Sequence, residues 1–165
     1  MEMGLELKLA YEDQEEIRKL FTEYTDMLVE GDAAIKEYLG IQNYGRELEH
    51  LEDKYGLPDG RLYLALYDGL PAGCIGLRRL DAENCELKRV YVRPEFRGHQ
   101  IGRSMIGTIL EDAVQIGYKA MYLDTLPFLQ SALRLYEKLG FYETGAYNDS
   151  PIASTIFMKK DLQPL

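Results

Sequence analysis

At 165 residues the chain has the length of one domain with a real core, since folding at this size buries roughly two-thirds of the unfolded surface. With 46% hydrophobic and 28% charged residues it is neither disordered nor collagenous nor disulfide-stapled, and its net charge of −9 argues against a broad phosphate-binding face for nucleic acid. The start MEMGLELKLAYEDQEE lacks a basic segment leading into an apolar one, and no run of about eighteen apolar residues occurs, so a cytoplasmic protein without a membrane partner is expected.

Residues 5–9 alternate apolar and polar and predict a first strand. Residues 12–30 then carry Ile17, Leu20, Phe21, Tyr24, Met27 and Leu28 at helical spacing. A second helix is expected over about residues 44–55, with Leu48, Leu51 and Tyr55 on one face and Gly56 and Pro58 ending it. The intervening IQNYG reads as a loop. From Arg61 the period falls to two in RLYLALYDG, PAGCIGLRRL and CELKRVYV, which predicts three consecutive antiparallel strands with breaks at residues 68–69 and 81–84.

A Gly-containing loop then opens a helix that turns Ile101, Met105, Ile109, Ala113 and Ile116 inward and closes at Gly117. AMYLDT predicts a short buried strand. Residues 128–139 predict a helix with Leu129, Ala132, Leu133, Tyr136 and Leu139 inward, stopped by Gly140. Residues 141–144 and 152–159 predict a final strand pair around GAYNDSP. The order βααβββαβαββ implies one α/β domain over residues 1–165, its mixed and mostly antiparallel sheet flanked by helices.

The segment VYVRPEFRGHQIGRSMI carries the most chemistry. A strand stopped by Pro94 and followed by a turn that opens a helix leaves backbone N–H groups at the positive end of the helix dipole, where phosphates bind. Arg97 and Arg103 flank it with guanidinium forks suited to phosphate oxygens, and Gly98 and Gly102 leave room for close approach. A tight strand-to-helix connection with solvated arginines would look the same. Cys74 and Cys85 lack CxxC spacing and neighbouring histidines, so two reduced, partly buried thiols are expected and no metal.

Val92-Arg93-Pro94 followed by Arg97-Gly98-His99-Gln100-Ile101-Gly102 resembles the V-x-P strand end and R/Q-x-x-G-x-G/A loop of the GNAT superfamily of coenzyme A-dependent N-acyltransferases. ALRLYEKLGF, residues 132–141, resembles that family's final helix, and the element order agrees over essentially the whole chain. Gln100 stands where the family usually has its first Gly, which should be tolerated because helical dihedrals need no Gly.

The resemblance implies acetyl-CoA as cosubstrate. Arg97, Gly98, His99, Gln100, Gly102 and Arg103 would cradle the pyrophosphate, and Tyr91 and Val92 would pair through their backbone with the pantetheine. His99 should face solvent near the phosphates rather than act as base, and His50 reads as an exposed surface residue.

The chemistry needs a neutral amine, a proton acceptor, a donor to the thioester oxygen and a donor to the leaving thiolate. By resemblance Val92 N–H is the donor to the thioester oxygen and Tyr136 protonates the thiolate; a core tyrosine at helical spacing is the plainer reading. Glu86 lies six residues before Val92 and should share its side of the strand, at a position where family members often carry a base. Its plainer reading is a surface glutamate paired with Lys88.

Leu129 replaces the family's frequent Asn, whose contact Gln130 or a backbone group of Leu126 to Phe128 would have to supply. Gln42, Asn43 and Tyr44 on one side and Tyr147, Asn148 and Asp149 on the other are expected to line the acceptor pocket. The acidic balance mildly favours a cationic acceptor. The expected reaction is transfer of acetyl to an amine in a ternary complex, with a homodimer admissible. A coenzyme A-binding regulatory module, or an enzyme using a longer acyl chain, shares these features.

Overall fold

The computed structural model describes residues 4–163, which build a seven-stranded sheet with helices on both faces. After strand β1 (Leu5–Leu9), helix α1 (Gln14–Gly31) starts with Glu15 and Glu16, whose carboxylates suit the positive end of the helix dipole. It buries Ile17, Leu20, Phe21, Thr25 and Leu28 along one stripe.

Where the sequence predicts a loop and one helix, three short helices stand: α2 (Ile35–Ile41), α3 (Tyr44–Glu49) and α4 (Leu51–Tyr55). Only Gln42 and Asn43 of the expected loop remain outside them. Asn43, in the left-handed region at φ 57, separates α2 from α3, and His50, with φ −134 and ψ 58, separates α3 from α4. Periodicity hides the second break because Leu51 and Tyr55 sink into the same core that Leu48 touches.

Strands β2 (Arg61–Tyr67), β3 (Leu70–Arg79) and β4 (Asn84–Val92) form the expected antiparallel run. Helix α5 (Ile101–Ile116) follows, closed by Gly117 at φ 107, a conformation that favours Gly. Strand β5 (Ala120–Thr125), helix α6 (Gln130–Lys138), a two-residue β6 (Tyr142–Glu143) and β7 (Ile156–Asp161) complete the chain. The last pair is shorter and begins later than its pattern predicts. Ile152 is buried from a loop against Leu28, Ile35, Tyr38 and Leu126, so its apolar side chain serves the core outside any strand.

The sheet order is β1-β2-β3-β4-β5-β7-β6, with β4–β5 parallel and the other pairs antiparallel. One face packs Ile75, Leu77, Cys85 and Leu87 against Ile101, Met105, Ile106 and Ile109 of α5; the other packs Leu62, Leu64 and Cys74 against Ile17, Leu20, Phe21, Leu51 and Tyr55. Each such large apolar side chain contributes roughly 1.5–3 kcal/mol by leaving water.

Two features of β4 make room for a site. Cys74 pairs with Tyr91 but Gly76 pairs with Lys88, so Arg89 and Val90 together face Ile75, and Arg89 takes φ 58. This bulge inverts the alternation. Cys85 and Leu87 before it, and Val90 and Val92 after it, all belong to the α5 side. Glu86 and Lys88 face the α2–α4 side. The expectation that Glu86 and Val92 share a side is therefore wrong, because counting by twos assumes a strand without an inserted residue. Secondly, β4 pairs with β5 only from Asn84 to Glu86, whereas β5 stays paired with β7 out to Thr125. Beyond Glu86 the two parallel strands diverge and leave an open slot.

Candidate active site

The slot has a usable backbone edge. Arg93 N–H donates to Ala72 O at 2.8 Å, so by strand alternation the Val92 N–H and carbonyl point away from β3 into the opening. Tyr91 is turned the other way, its carbonyl so close to β3 that a Cβ on Gly73 would lie 2.5 Å from it. Of the two residues expected to offer backbone, only Val92 does. The end of β4 is anchored by Arg93, whose Nε donates to Glu23 Oε1 at 3.0 Å and Nη2 to Oε2 at 2.8 Å, a two-point pairing that ties the strand to α1.

Past this anchor a single turn, Pro94–Phe96, leads to the loop before α5. Gly98 adopts φ 91, which admits little but Gly. Gln100 adopts φ 59 and ψ 27, left-handed rather than helical, so the expectation that helical dihedrals would excuse the missing Gly is corrected. Gln100 occupies that conformation at a steric cost that Gly would avoid. Among the described residues, the N–H groups of Gly98 through Arg103 donate to no backbone carbonyl, and no side chain caps α5. These donors stand at the positive end of a 16-residue helix, with exposed Arg97 and Arg103 beside them. His99 is exposed but not free: its ring stacks on Tyr67 with centroids 4.4 Å apart and Nδ1 3.1 Å from the Tyr67 hydroxyl.

Tyr136 of α6 approaches from the α5 side. Its ring is buried edge-on to Phe141, with centroids 5.8 Å apart, and its hydroxyl has no hydrogen-bond partner among the described residues. Burial foremost, with Tyr24 and the Asp124 carboxylate adding to it, pushes the phenol well up, so it keeps its proton.

On the opposite face a cleft of about 810 Å³ holds Gln42, Asn43, Tyr147, Asn148 and Asp149 together with Glu86 and Lys88. Tyr44 does not line it. That ring lies under the Arg89 guanidinium, 5.1 Å from it, and its hydroxyl is 3.5 Å from Thr25 Oγ1. As the first residue of α3 rather than a loop residue, it turns inward.

Glu86 is no surface residue: it is 2% exposed. Arg78 Nε donates to it at 2.7 Å and the Tyr147 hydroxyl at 2.5 Å, with Lys88 Nζ 3.8 Å away. Burial pushes its carboxyl up, but Lys88 and Arg78 with these hydrogen bonds outweigh burial and hold it below its ordinary value. It is ionised at neutral pH. Cys74 and Cys85 are wholly buried rather than partly so, and burial raises both thiols far above their ordinary range.

Residues 16–141 match the sequence profile described as the acetyltransferase (GNAT) family. The chain belongs to the GNAT acetyltransferase family. It is 36% identical over 126 residues to an uncharacterised N-acetyltransferase of Schizosaccharomyces pombe, covering 75% of this chain and 77% of that one. A GNAT acetyltransferase from Staphylococcus aureus shares the fold over 97% of this chain and 100% of its own, with TM-score 0.76 and 19% identity. A GNAT acetyltransferase from Elizabethkingia anophelis, solved with acetyl-CoA bound, superposes over 63% of this chain and 77% of its own, with TM-score 0.54 and 28% identity.

Several groups of this GNAT cleft escaped sequence reasoning. Glu47, 5% exposed, accepts from Arg89 Nε and Nη2 at 2.9 Å each, from Lys54 at 2.7 Å and from the Tyr55 hydroxyl at 2.9 Å. Gln42 accepts from Arg89 Nη2 at 2.7 Å, which fixes the α2–α3 junction over the bulge. Asp124 of β5 accepts from the Tyr38 hydroxyl and from Asn148 Nδ2 at 2.8 Å, joining the two sides of the expected pocket. The one readable signal was the charged run Glu86, Lys88, Arg89 inside an otherwise apolar strand.

Between α1, α2 and the end of β5 in this GNAT fold, Tyr24, Leu28, Ile35, Tyr38, Leu126 and Leu129 with Arg89 and Asp124 line a small cavity of about 40 Å³. Leu129, where the family often has Asn, is one of its apolar walls, and Gln130 is exposed.

Proposed function

We propose that the chain transfers an acetyl group from acetyl-CoA to a primary amine of a small molecule or peptide, by direct attack in a ternary complex. One observation carries this reading: a slot between diverging parallel strands runs from the uncapped start of α5, flanked by Arg97 and Arg103, to a cleft that holds an ionised buried carboxylate. The acetyl-CoA bound to the Elizabethkingia anophelis acetyltransferase supports the same cosubstrate.

The free N–H groups of residues 98–103 and the two arginines bind the pyrophosphate, and Val92 offers its N–H to the thioester oxygen as charge gathers there. The amine lone pair attacks the thioester carbon, the C–S bond breaks, and the sulfur leaves with the bonding electrons. Tyr136 gives that sulfur a hydrogen bond or its proton. Glu86 receives the proton that the nitrogen sheds; being held below its usual range it keeps it weakly, and passes it to solvent through the open cleft. Gln42, Asn43, Tyr147, Asn148 and Asp149 surround the acceptor. The buried, protonated Cys74 and Cys85 favour direct attack over a cysteine-bound acyl intermediate.

Thiol release from acetyl-CoA across a panel of amines, beside equilibrium binding of acetyl-CoA, tests this. Amine-dependent release is expected. Tight binding with no release by any amine would favour a regulatory module of the same fold, and release only from longer acyl-CoA would overturn the acetyl assignment.

A further inference from the structure

At the acceptor cleft four cations share two buried carboxylates. Half-buried Lys54 and Arg78 and buried Lys88 line it, buried Arg89 lies behind them, and the carboxylates of Glu47 and Glu86 are shared: Glu47 serves Lys54 and Arg89, and Glu86 serves Arg78 and Lys88. Asp124, the nearest other acid, is engaged by Tyr38 and Asn148. At the rim Asp53 pairs with Arg46 at 3.7 Å and Asp59 with Arg79 at 3.1 Å. Of these cations Lys88 stands out. It is 8% exposed, lines the cleft, and its Nζ comes no closer to an anion than the 3.8 Å that separates it from Glu86, beyond hydrogen-bond reach. Arg78 holds one oxygen of that carboxylate and Tyr147 the other.

A buried ammonium without a hydrogen-bonded anion is costly, and proteins seldom keep one without use. We propose that Lys88 receives a carboxylate of the acceptor, so that the substrate is a small amine that also carries a carboxylate, as an amino acid does. The alternating polarity of Glu86 and Lys88 matches such a molecule: the amine lies toward Glu86, where its proton must go, and the carboxylate toward Lys88. Burial foremost, with the Arg89 and Lys54 cations, pushes Lys88 down to about 7 against the pull of Glu86 and Asp124, and a bound carboxylate supplies the missing counter-charge. The whole-chain charge of −9 is no guide here, because it does not describe the bottom of the cleft.

This inference rests on the acetyltransferase reading, and the experiment separates the two. Thiol release from acetyl-CoA is measured with amino acids paired with amides that lack one carboxylate: L-aspartate beside both L-asparagine and its α-amide, L-glutamate beside both L-glutamine and its α-amide, L-phenylalanine beside L-phenylalaninamide. At least one acid should exceed its amide in kcat/KM by roughly ten- to hundredfold, the worth of a hydrogen bond to a charged group. Lys88→Met should erase that ratio while acetyl-CoA affinity is unchanged. Equal rates for acid and amide in every active pair, or an acid preference untouched by Lys88→Met, would overturn the carboxylate site and leave the transfer reading standing. Binding of the N-acetylated acids and amides to the coenzyme A-loaded protein, by calorimetry, reads the site without turnover. Binding of the acid alone, with no transfer to any amine, would keep the site and overturn the transfer reading. Should Lys88→Met fail to fold, equal rates for acid and amide on the unaltered protein still overturn the site, and Lys88→Gln replaces it as the variant that must erase the ratio.

Discussion

Tyr136→Phe removes one oxygen from the proposed leaving-group side of the slot. Because the hydroxyl has no hydrogen-bond partner among the described residues, its loss strands no buried group, and the ring keeps its edge-on contact with Phe141. Stability should therefore change by no more than about 0.5 kcal/mol. In the transition state the hydroxyl would face a sulfur gathering negative charge, and a hydrogen bond to a charged group contributes roughly 1.5–3 kcal/mol, or about ten- to 150-fold in rate. Since the phenol is pushed up by burial, it stays a donor across the working pH range and the loss should not vary with pH. The assay is single-turnover acetyl transfer with equilibrium binding of acetyl-CoA measured alongside. The expected result is a lower transfer rate, nearly unchanged affinity and an unshifted Tm. Full-rate transfer with normal binding would refute the reasoning and return Tyr136 to the core, leaving the thiolate to water.

Arg97→Ala and Arg103→Ala should each weaken coenzyme A binding by roughly tenfold or more at low salt, and less at high salt, with little effect on an analogue lacking the phosphates; calorimetric titration checks this. Gln100→Gly should raise stability by about 0.5 kcal/mol in urea unfolding, because relief of the left-handed conformation exceeds the flexibility Gly adds to the unfolded chain. Glu47→Gln should cost about 3 kcal/mol or more, since Arg89 would stay buried without its counter-charge. Burial raises Glu47, but Arg89 and Lys54 outweigh it and hold it at about 2. Its contribution is therefore complete above its unfolded value near 4.5 and lost as pH falls toward 2, so the two proteins should converge in stability over that window.

The elements that sequence showed well are those whose core contacts repeat with the period of the element. The stripe Ile101, Met105, Ile109, Ala113 and the alternating strands from Arg61 to Val92 are read by counting, because each side chain's direction follows from its neighbours. The loop before α5 was legible for a different reason: Pro94 ends the strand and Gly98 marks a turn, whatever the arginines bind. Ile152, the break at His50 and the inward turn of Tyr44 were not legible. Each depends on which surface the segment meets after folding, and local pattern holds no trace of it.

The bulge at Arg89 is the clearest case of a local event that counting cannot see. One residue in the left-handed region, without Gly to announce it, inverts every side chain beyond it, so Glu86 and Val92 end on opposite faces although six residues separate them. The inversion also explains why Lys88 and Arg89, adjacent in sequence, both reach the helical α1–α4 face, which an unbroken strand would forbid. Two neighbouring cations on one face would repel unless each had its own acid. Glu47, brought in by α3, supplies Arg89, and Glu86 is left to be divided between Arg78 and Lys88. The local backbone irregularity thus sets a second cation, Arg89, beside a lysine that shares its acid. The same inserted residue that brings Arg89 beside Lys88 turns Val92 to the α5 side, so the charge at the cleft and the direction of the strand end follow from strand geometry rather than from the composition of the chain.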